Sequence, residues 1–214
     1  MRGVKVLIRK GAEADLYLED WYGIKIVKKV RIPKTYRLPQ LDFEIRRSRT
    51  IHEAQIMHDA KLAGVPTPTI YFIDVNQNFI VMEYIKGQRI KEILNFISSE
   101  ERKRLCRYIG ELIGRLHQKR IVHGDLTTSN MILDKKEKIF FIDFGLSEYS
   151  DELEKRGVDI HLMKRALQST HYKHAKECFN SIIEGYANII GHKIAREVVE
   201  RVEEIVKRGR YSVK

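Results

Sequence analysis

Val4, Val6 and Ile8 recur at every second position at the start of the chain, the period-two pattern of a strand. Lys10-Gly11-Ala12-Glu13-Ala14 interrupts that pattern, and apolar positions resume at Leu16-Tyr17-Leu18. Turn-forming residues 20–23 lead into a third strand over 24–30, completing an antiparallel meander with a small-residue loop after its first strand. Pro33 and Pro39 bracket a basic loop that holds Lys34, Tyr36 and Arg37. From Asp42, taken as the N-cap, helical spacing runs to Ala63 and stops at Gly64, with Pro66 and Pro68 beyond. Two strands follow, 69–74 and 79–83, joined into a hairpin by Asn76-Gln77-Asn78.

After Gly87 the period becomes helical. Ser98 with Glu101 has the spacing of a capping box, and Leu105, Ile109, Leu112, Ile113 and Leu116 then recur on one helix face. Loops and short strands occupy 121–145, and the remainder is helical. The last helix carries Ala195, Val198, Val199, Val202, Ile205 and Val206 on one face, ahead of a short basic tail from Lys207. The expected architecture is α+β and bilobal. A small antiparallel-sheet lobe with one inserted helix takes residues 1–85, and a reduced helical lobe with the basic tail takes 86–214. A hinge falls near 84–87, and a cleft between two such lobes suits a nucleotide.

A chain of 214 residues, 43% of them apolar, is long enough for a substantial core. Its two cysteines, Cys106 and Cys178, have neither zinc-site nor disulfide-framework spacing, which favours a reducing interior. No apolar run has the length of a membrane span and no signal-peptide pattern opens the chain, so a soluble cytoplasmic protein without membrane contact is expected. The net charge of +11 favours polyanionic partners. A solvated lysine-rich surface accounts for the charge equally well.

The chemistry concentrates in His123-Gly124-Asp125-Leu126-Thr127-Thr128-Ser129-Asn130 and, after the apolar stretch 139–142, Asp143-Phe144-Gly145. The Asp-to-Asn offset and the order of the two strings resemble the catalytic loop and metal-binding motif of protein kinases. Each residue alone would be an ordinary turn residue; together they specify phosphoryl transfer, where the protein supplies positioning and charge compensation. Asp125 is the expected catalytic acceptor for the attacking hydroxyl or water. Asn130 and Asp143 offer hard oxygen ligands for Mg²⁺, and ATP is the expected phosphoryl donor. Such a site also needs a lysine on the third strand and a glutamate on the inserted helix. Glu53 answers the second need. Lys28 and Lys29 both answer the first, and strand alternation admits only one of them. Gly11, Ala12, Glu13 and Ala14 stand where a glycine-rich phosphate loop belongs, with one glycine where that loop has three and an added negative charge at Glu13. The backbone of Met82, Glu83, Tyr84 and Ile85 is the expected adenine-binding hinge.

The wider set resembles one family, the small atypical Ser/Thr kinases of the KEOPS complex, also called PRPK, in their archaeal form. The resemblance runs through 11–14, then Lys29, Arg31, Pro33, Lys34, Tyr36 and Arg37, then Arg49-Thr50 and Glu53-Ala54. It continues through 123–130, 143–146, Gly157-Val158-Asp159, Ser169-Thr170-His171 and Arg208-Gly209-Arg210, nearly the whole chain. It selects Lys29 over Lys28 as the ATP lysine. The resemblance implies an ATPase/kinase that supports threonylcarbamoyladenosine formation in tRNA and autophosphorylates on serine or threonine. It also implies association with the tRNA threonylcarbamoyltransferase subunit, to which many archaeal members are fused, and with other KEOPS subunits. The basic surface and tail would serve tRNA.

Gly124 stands where most protein kinases carry arginine and Thr127 where many carry lysine, and no Ala-Pro-Glu element follows Gly145. Activity on general protein substrates should therefore be weak. Ser147, Tyr149 and Ser150 are conceivable autophosphorylation positions. Two other readings compete. One is a small-molecule kinase of the aminoglycoside or choline kinase type, which Phe144-Gly145 and the short helical half argue against. The other is a non-catalytic tRNA-binding scaffold, motivated by Arg46, Arg47 and Arg49 on one helix and by Arg208 and Arg210 in the tail. His117, His123, His161, His171 and His174 show no metal-ligand spacing, and His123 reads as an anchor of the catalytic loop.

Overall fold

A computed structural model describes residues 5–211, with side chains through 208. Val4 of the expected first strand and 212–214 of the expected tail lie outside the described residues. The chain divides into two compact units, Met1–Asp59 with Thr67–Lys86, and Ala60–Pro66 with Gly87–Lys214.

The first unit contains β1 (Val6–Lys10), β2 (Ala14–Trp21), β3 (Ile24–Arg31), most of α1 (Pro39–Leu62), β4 (Ile70–Asp74) and β5 (Phe79–Glu83). The strands form one antiparallel sheet in the order β1-β2-β3-β5-β4. Alternation along β3 sorts its side chains onto two faces. Ile26 and Val30 join Phe79 and Val81 in a buried apolar cluster, and Lys28, on the same face, lays its ammonium 3.7 Å from the centre of the Phe79 ring. Lys29 and Arg31 take the other face, where both are buried.

The inserted helix starts at Pro39, three residues before the expected N-cap. Proline is tolerated in a first turn because its missing N–H is not needed there. Asp42 is instead a buried first-turn residue. Its carboxylate accepts from Arg46 Nε at 2.7 Å and from the Lys34 amide at 3.2 Å, and lies 3.5 Å from Arg37. Trp21 ends β2 rather than sitting in a turn, with its ring 6.2 Å from that of Tyr71 on β4. In the β4–β5 hairpin the Asp74 carboxylate accepts the amides of Asn76 and Gln77 at 2.9 and 2.8 Å, and Asn78 takes a left-handed φ of 57°.

The second unit begins with β6 (Gly87–Arg89), α2 (Ile90–Ile93), α3 (Ser99–Gln118) and β7 (Ile121–Val122). A 3₁₀ turn (Thr128–Asn130), β8 (Met131–Asp134), β9 (Ile139–Phe141) and β10 (Glu148–Tyr149) follow. Helices α4 (Leu153–Thr170), α5 (Ala175–Ile190) and α6 (His192–Tyr211) complete it. The capping box forms as expected: Ser98 accepts the Glu101 amide and Glu101 accepts that of Ser98. Cys106 on α3 and Cys178 on α5 are buried free thiols, and a hydrogen bond between them pushes Cys106 up. Ala195, Val198 and Val202 of the apolar stripe on α6 are buried. The helix continues to Tyr211, so the expected tail from Lys207 is helical that far; Arg208 pairs with Glu154 of α4 at 2.9 Å. No helix among the described residues is long and apolar enough to cross a membrane.

Candidate active site

Lys29 and Glu53 meet. Glu53 is 1% exposed, and its Oε1 lies 2.5 Å from Lys29 Nζ. Sequence reading missed the second half of this contact. Arg31, two residues along the same face of β3, places Nη2 2.6 Å from Glu53 Oε2 and donates to the Arg49 carbonyl at 3.1 Å. A carboxylate removed from water is thus compensated by two cations, as a buried charge requires.

The loop 11–14 is tied to its surroundings at several points. A Cβ on Gly11 would fall 2.5 Å from the Ala14 carbonyl oxygen, so the one glycine of the loop sits where a side chain does not fit. The Glu13 carbonyl accepts the Ile32 amide at 3.1 Å, and Lys34 Nζ donates to the Ala12 carbonyl. Glu13 itself pairs with Arg49 of α1. Burial works to raise its carboxyl, but the hydrogen bond and charge of Arg49 outweigh burial and hold it below the ordinary value. The negative charge expected to oppose phosphates is therefore matched by a cation. The same pairing engages Arg49, as Asp42 engages Arg46, leaving Arg47 as the exposed member of that basic trio. In the hinge segment, Met82 and Ile85 are buried and Tyr84 is exposed. The Glu83 amide donates to the Thr69 carbonyl at 2.8 Å, while its carboxylate accepts the Thr69 amide at 3.0 Å.

In the second unit, the β8–β9 hairpin brings two motifs together. Met131 pairs with Phe141, and the Ile142 amide donates to the Asn130 carbonyl at 3.0 Å, which sets Asp143 beside Asn130. Asn130 Nδ2 donates to the Asp125 carboxylate at 2.8 Å and to its carbonyl at 3.0 Å. With its amino end committed, Asn130 presents Oδ1 as its acceptor end. Asp143 adopts φ 66°, a left-handed conformation uncommon outside glycine that aspartate tolerates better than most residues. Two hard oxygen donors suit Mg²⁺, which takes few protein ligands.

The loop carrying Asp125 hangs on Asp159 of α4, which sequence reading placed in a motif without a role. Asp159 is fully buried. Its carboxylate accepts the His123 amide at 2.6 Å, the Gly124 amide at 2.8 Å and His117 Nε2 at 3.3 Å. Because the carboxylate only accepts, His117 donates from Nε2, and its Nδ1 lies 2.9 Å from the Tyr186 hydroxyl. The only earlier signal was the Gly157-Val158-Asp159 string; helical periodicity does not distinguish a buried acceptor from a solvated one.

Gly124 explains its own departure from the usual arginine. Its φ is +77°, and a Cβ would fall 2.2 Å from the Leu146 carbonyl oxygen. His123 is buried with its ring 4.7 Å from that of Phe144, and Nδ1 accepts the Asp125 amide at 3.3 Å. The Ser147 hydroxyl is buried and donates to the His123 carbonyl at 2.7 Å, which makes it a structural group of this loop. Below the loop, Thr128 Oγ1 lies 3.1 Å from His171 Nε2, and His171 Nδ1 lies 2.8 Å from Asn95 Oδ1.

Burial holds both His123 and His171 below the ordinary value of 6.5, and for His171 the charges of Lys91, His174 and Arg102 add to it. The folded chain keeps these rings neutral while the unfolded chain protonates them freely. Their effect on stability is absent above about pH 6.5 and destabilising below it, growing until the depressed folded values are reached. The melting temperature should fall as pH drops from 7.5 to 5, and His171→Gln should flatten part of that fall. A profile flat through this range in the unaltered chain would contradict the assignment.

A family model for the protein kinase domain matches residues 17–183. The Rio2 kinase from Chaetomium thermophilum shares the fold, with a TM-score of 0.63 over 96% of this chain and 74% of that chain at 18% identity. The KEOPS complex subunit Bud32 of Pyrococcus abyssi is 49% identical over 211 residues, 96% of each protein. A probable bifunctional tRNA threonylcarbamoyladenosine biosynthesis protein of Methanothermobacter thermautotrophicus is 43% identical over 206 residues, which are 96% of this chain and 36% of that protein. The chain belongs to the protein kinase domain family and, within it, to the Bud32 family. It is a kinase-type enzyme, and the expected α+β kinase-like fold holds.

Proposed function

We propose that the chain is an Mg²⁺- and ATP-dependent Ser/Thr kinase and ATPase that serves, in a KEOPS-type assembly in the cytoplasm, the threonylcarbamoyladenosine modification of tRNA. The observation that carries the catalytic part is the double tie of Asn130: its amide group to Asp125 and its backbone to the residue before Asp143. That tie brings Asp125, Asn130 and the start of the 143–145 string together, which supports reading them as proton acceptor and oxygen donors. Lys29, paired with Glu53, would meet the phosphates, the loop 11–14 would lie beside them, and the 82–85 backbone would serve adenine. Asn130 and Asp143 would hold the metal, and Asp125 would take the proton of the attacking hydroxyl or water. Bound Mg²⁺ supplies positive charge that offsets the phosphates. From Gly145 the chain reaches α4 at Leu153 through one two-residue strand, a short platform for a protein substrate. This favours autophosphorylation and ATP hydrolysis over general protein phosphorylation.

The tRNA role, and partnership with a threonylcarbamoyltransferase subunit, rest on the names of the relatives above, one matched over 96% of its length and the other over 36%; the net charge of +11 suits a tRNA partner. The test is Mg²⁺-dependent ATP hydrolysis by the pure chain, alone and then with the transferase subunit and tRNA, beside Asp143→Ala. Turnover raised by the partner or tRNA and abolished by Asp143→Ala is expected. No Asp143-dependent turnover in any mixture would leave a tRNA-complex scaffold with a vestigial nucleotide site.

A further inference from the structure

We propose that Arg31 is a positioning residue for Lys29: it holds the second oxygen of Glu53, so the carboxylate keeps its place when Lys29 turns from it toward a phosphate. The inference rests on the reading of the chain as an ATP-using kinase.

Lys29 and Arg31 lie two residues apart on β3, so alternation points both at α1. Each takes one oxygen of Glu53, Lys29 Nζ at 2.5 Å and Arg31 Nη2 at 2.6 Å. Side-chain exposures of 9%, 4% and 2% for Lys29, Arg31 and Glu53 place all three groups out of water. A buried carboxylate with one cation holds that cation, because separation leaves an uncompensated charge. With two cations, Lys29 can exchange its contact for a phosphate oxygen while Glu53 remains compensated. Arg31 is suited to stay behind. Its guanidinium is always charged and forked, and Nη2 also donates to the Arg49 carbonyl at 3.1 Å. Its backbone is fixed by pairing with Ala14 and by a 3.0 Å bond to the Asn78 carbonyl. A lysine at this position has the charge but not the planar fork.

The experiment uses the full chain with Mg²⁺. It measures steady-state ATP hydrolysis and equilibrium binding of a fluorescent ATP analogue for the unaltered chain, Arg31→Gln, Arg31→Lys, Glu53→Gln and the Arg31→Gln/Glu53→Gln double variant. Arg31→Gln should raise KM and Kd for nucleotide about tenfold with kcat within about threefold, Arg31→Lys should fall between, and in the Glu53→Gln background Arg31→Gln should add less than about twofold. A lowered melting temperature and kcat with unchanged KM would mark a purely structural ion pair and overturn the proposal, as would additive effects on KM. If Arg31→Gln fails to fold, Arg31→Lys decides: KM at least about threefold higher supports the positioning role, and an unchanged KM ends it. An unaltered chain that neither binds nor hydrolyses ATP removes the kinase reading and this inference with it. An unaltered chain that does both, with KM unmoved by Arg31→Gln, removes this inference alone.

Discussion

Asp125→Asn should lower ATP turnover by about 10²–10⁴-fold, the range expected for loss of a positioned general base, while leaving the fold in place. The substitution keeps the shape of the side chain and an oxygen able to accept from Asn130 Nδ2, now 2.8 Å from the carboxylate. It removes the capacity to take a proton from the attacking group. Because Asn130 spends the same amino group on the Asp125 carbonyl at 3.0 Å, the loop retains its internal tie. Nucleotide affinity should therefore change little, and the loss should appear in kcat. Single-turnover kinetics with matched binding measurements would check this. Turnover within about threefold of the unaltered chain would exclude Asp125 as the acceptor.

Asp159→Ala should be the most destabilising single change in the second unit. It leaves the buried amide of His123 and the part-buried amide of Gly124 without their acceptor, and strips His117 Nε2 of its partner. A buried donor left without its acceptor typically costs about 1–3 kcal/mol, so three together destabilise by about 3–5 kcal/mol. For a chain of this size, each kcal/mol shifts the midpoint by roughly 2–4 °C, so a fall of about 10 °C is expected. Asp159→Asn should fall short of this, since an amide accepts with one oxygen and turns an amino group toward a backbone N–H. Calorimetry reads both variants. A shift below about 2 °C for Asp159→Ala would mean that the loop amides find other acceptors. Activity should fall with stability, because His123 and Gly124 immediately precede Asp125.

Much of the site was legible along the chain because its parts are local. The strings 123–130 and 143–145 sit on either side of one hairpin, and the β8–β9 register that joins them follows from alternation in a short sheet. The choice between Lys28 and Lys29 was not settled by the residues themselves. Both belong to one apolar-alternating strand, and only the position of the Phe79 cluster on one face and Glu53 on the other separates them. Asp42 was misread for a related reason. An aspartate near a helix start is usually a cap, but here Pro39 begins the turn earlier and Arg46, Lys34 and Arg37 draw the carboxylate inward.

By itself the sequence determined the succession of elements, the kinase-type motifs and the residue types that the proposed magnesium–phosphate site needs, because periodicity and short-range spacing are properties of neighbouring residues. The tertiary structure decided which charges compensate one another: Arg31 with Lys29 on Glu53, Arg49 on Glu13, and Asp159 beneath the catalytic loop. Those pairings span 22 to 36 residues of chain. They arise because charges and amides removed from water must find partners, and only packing sets which partners are within reach.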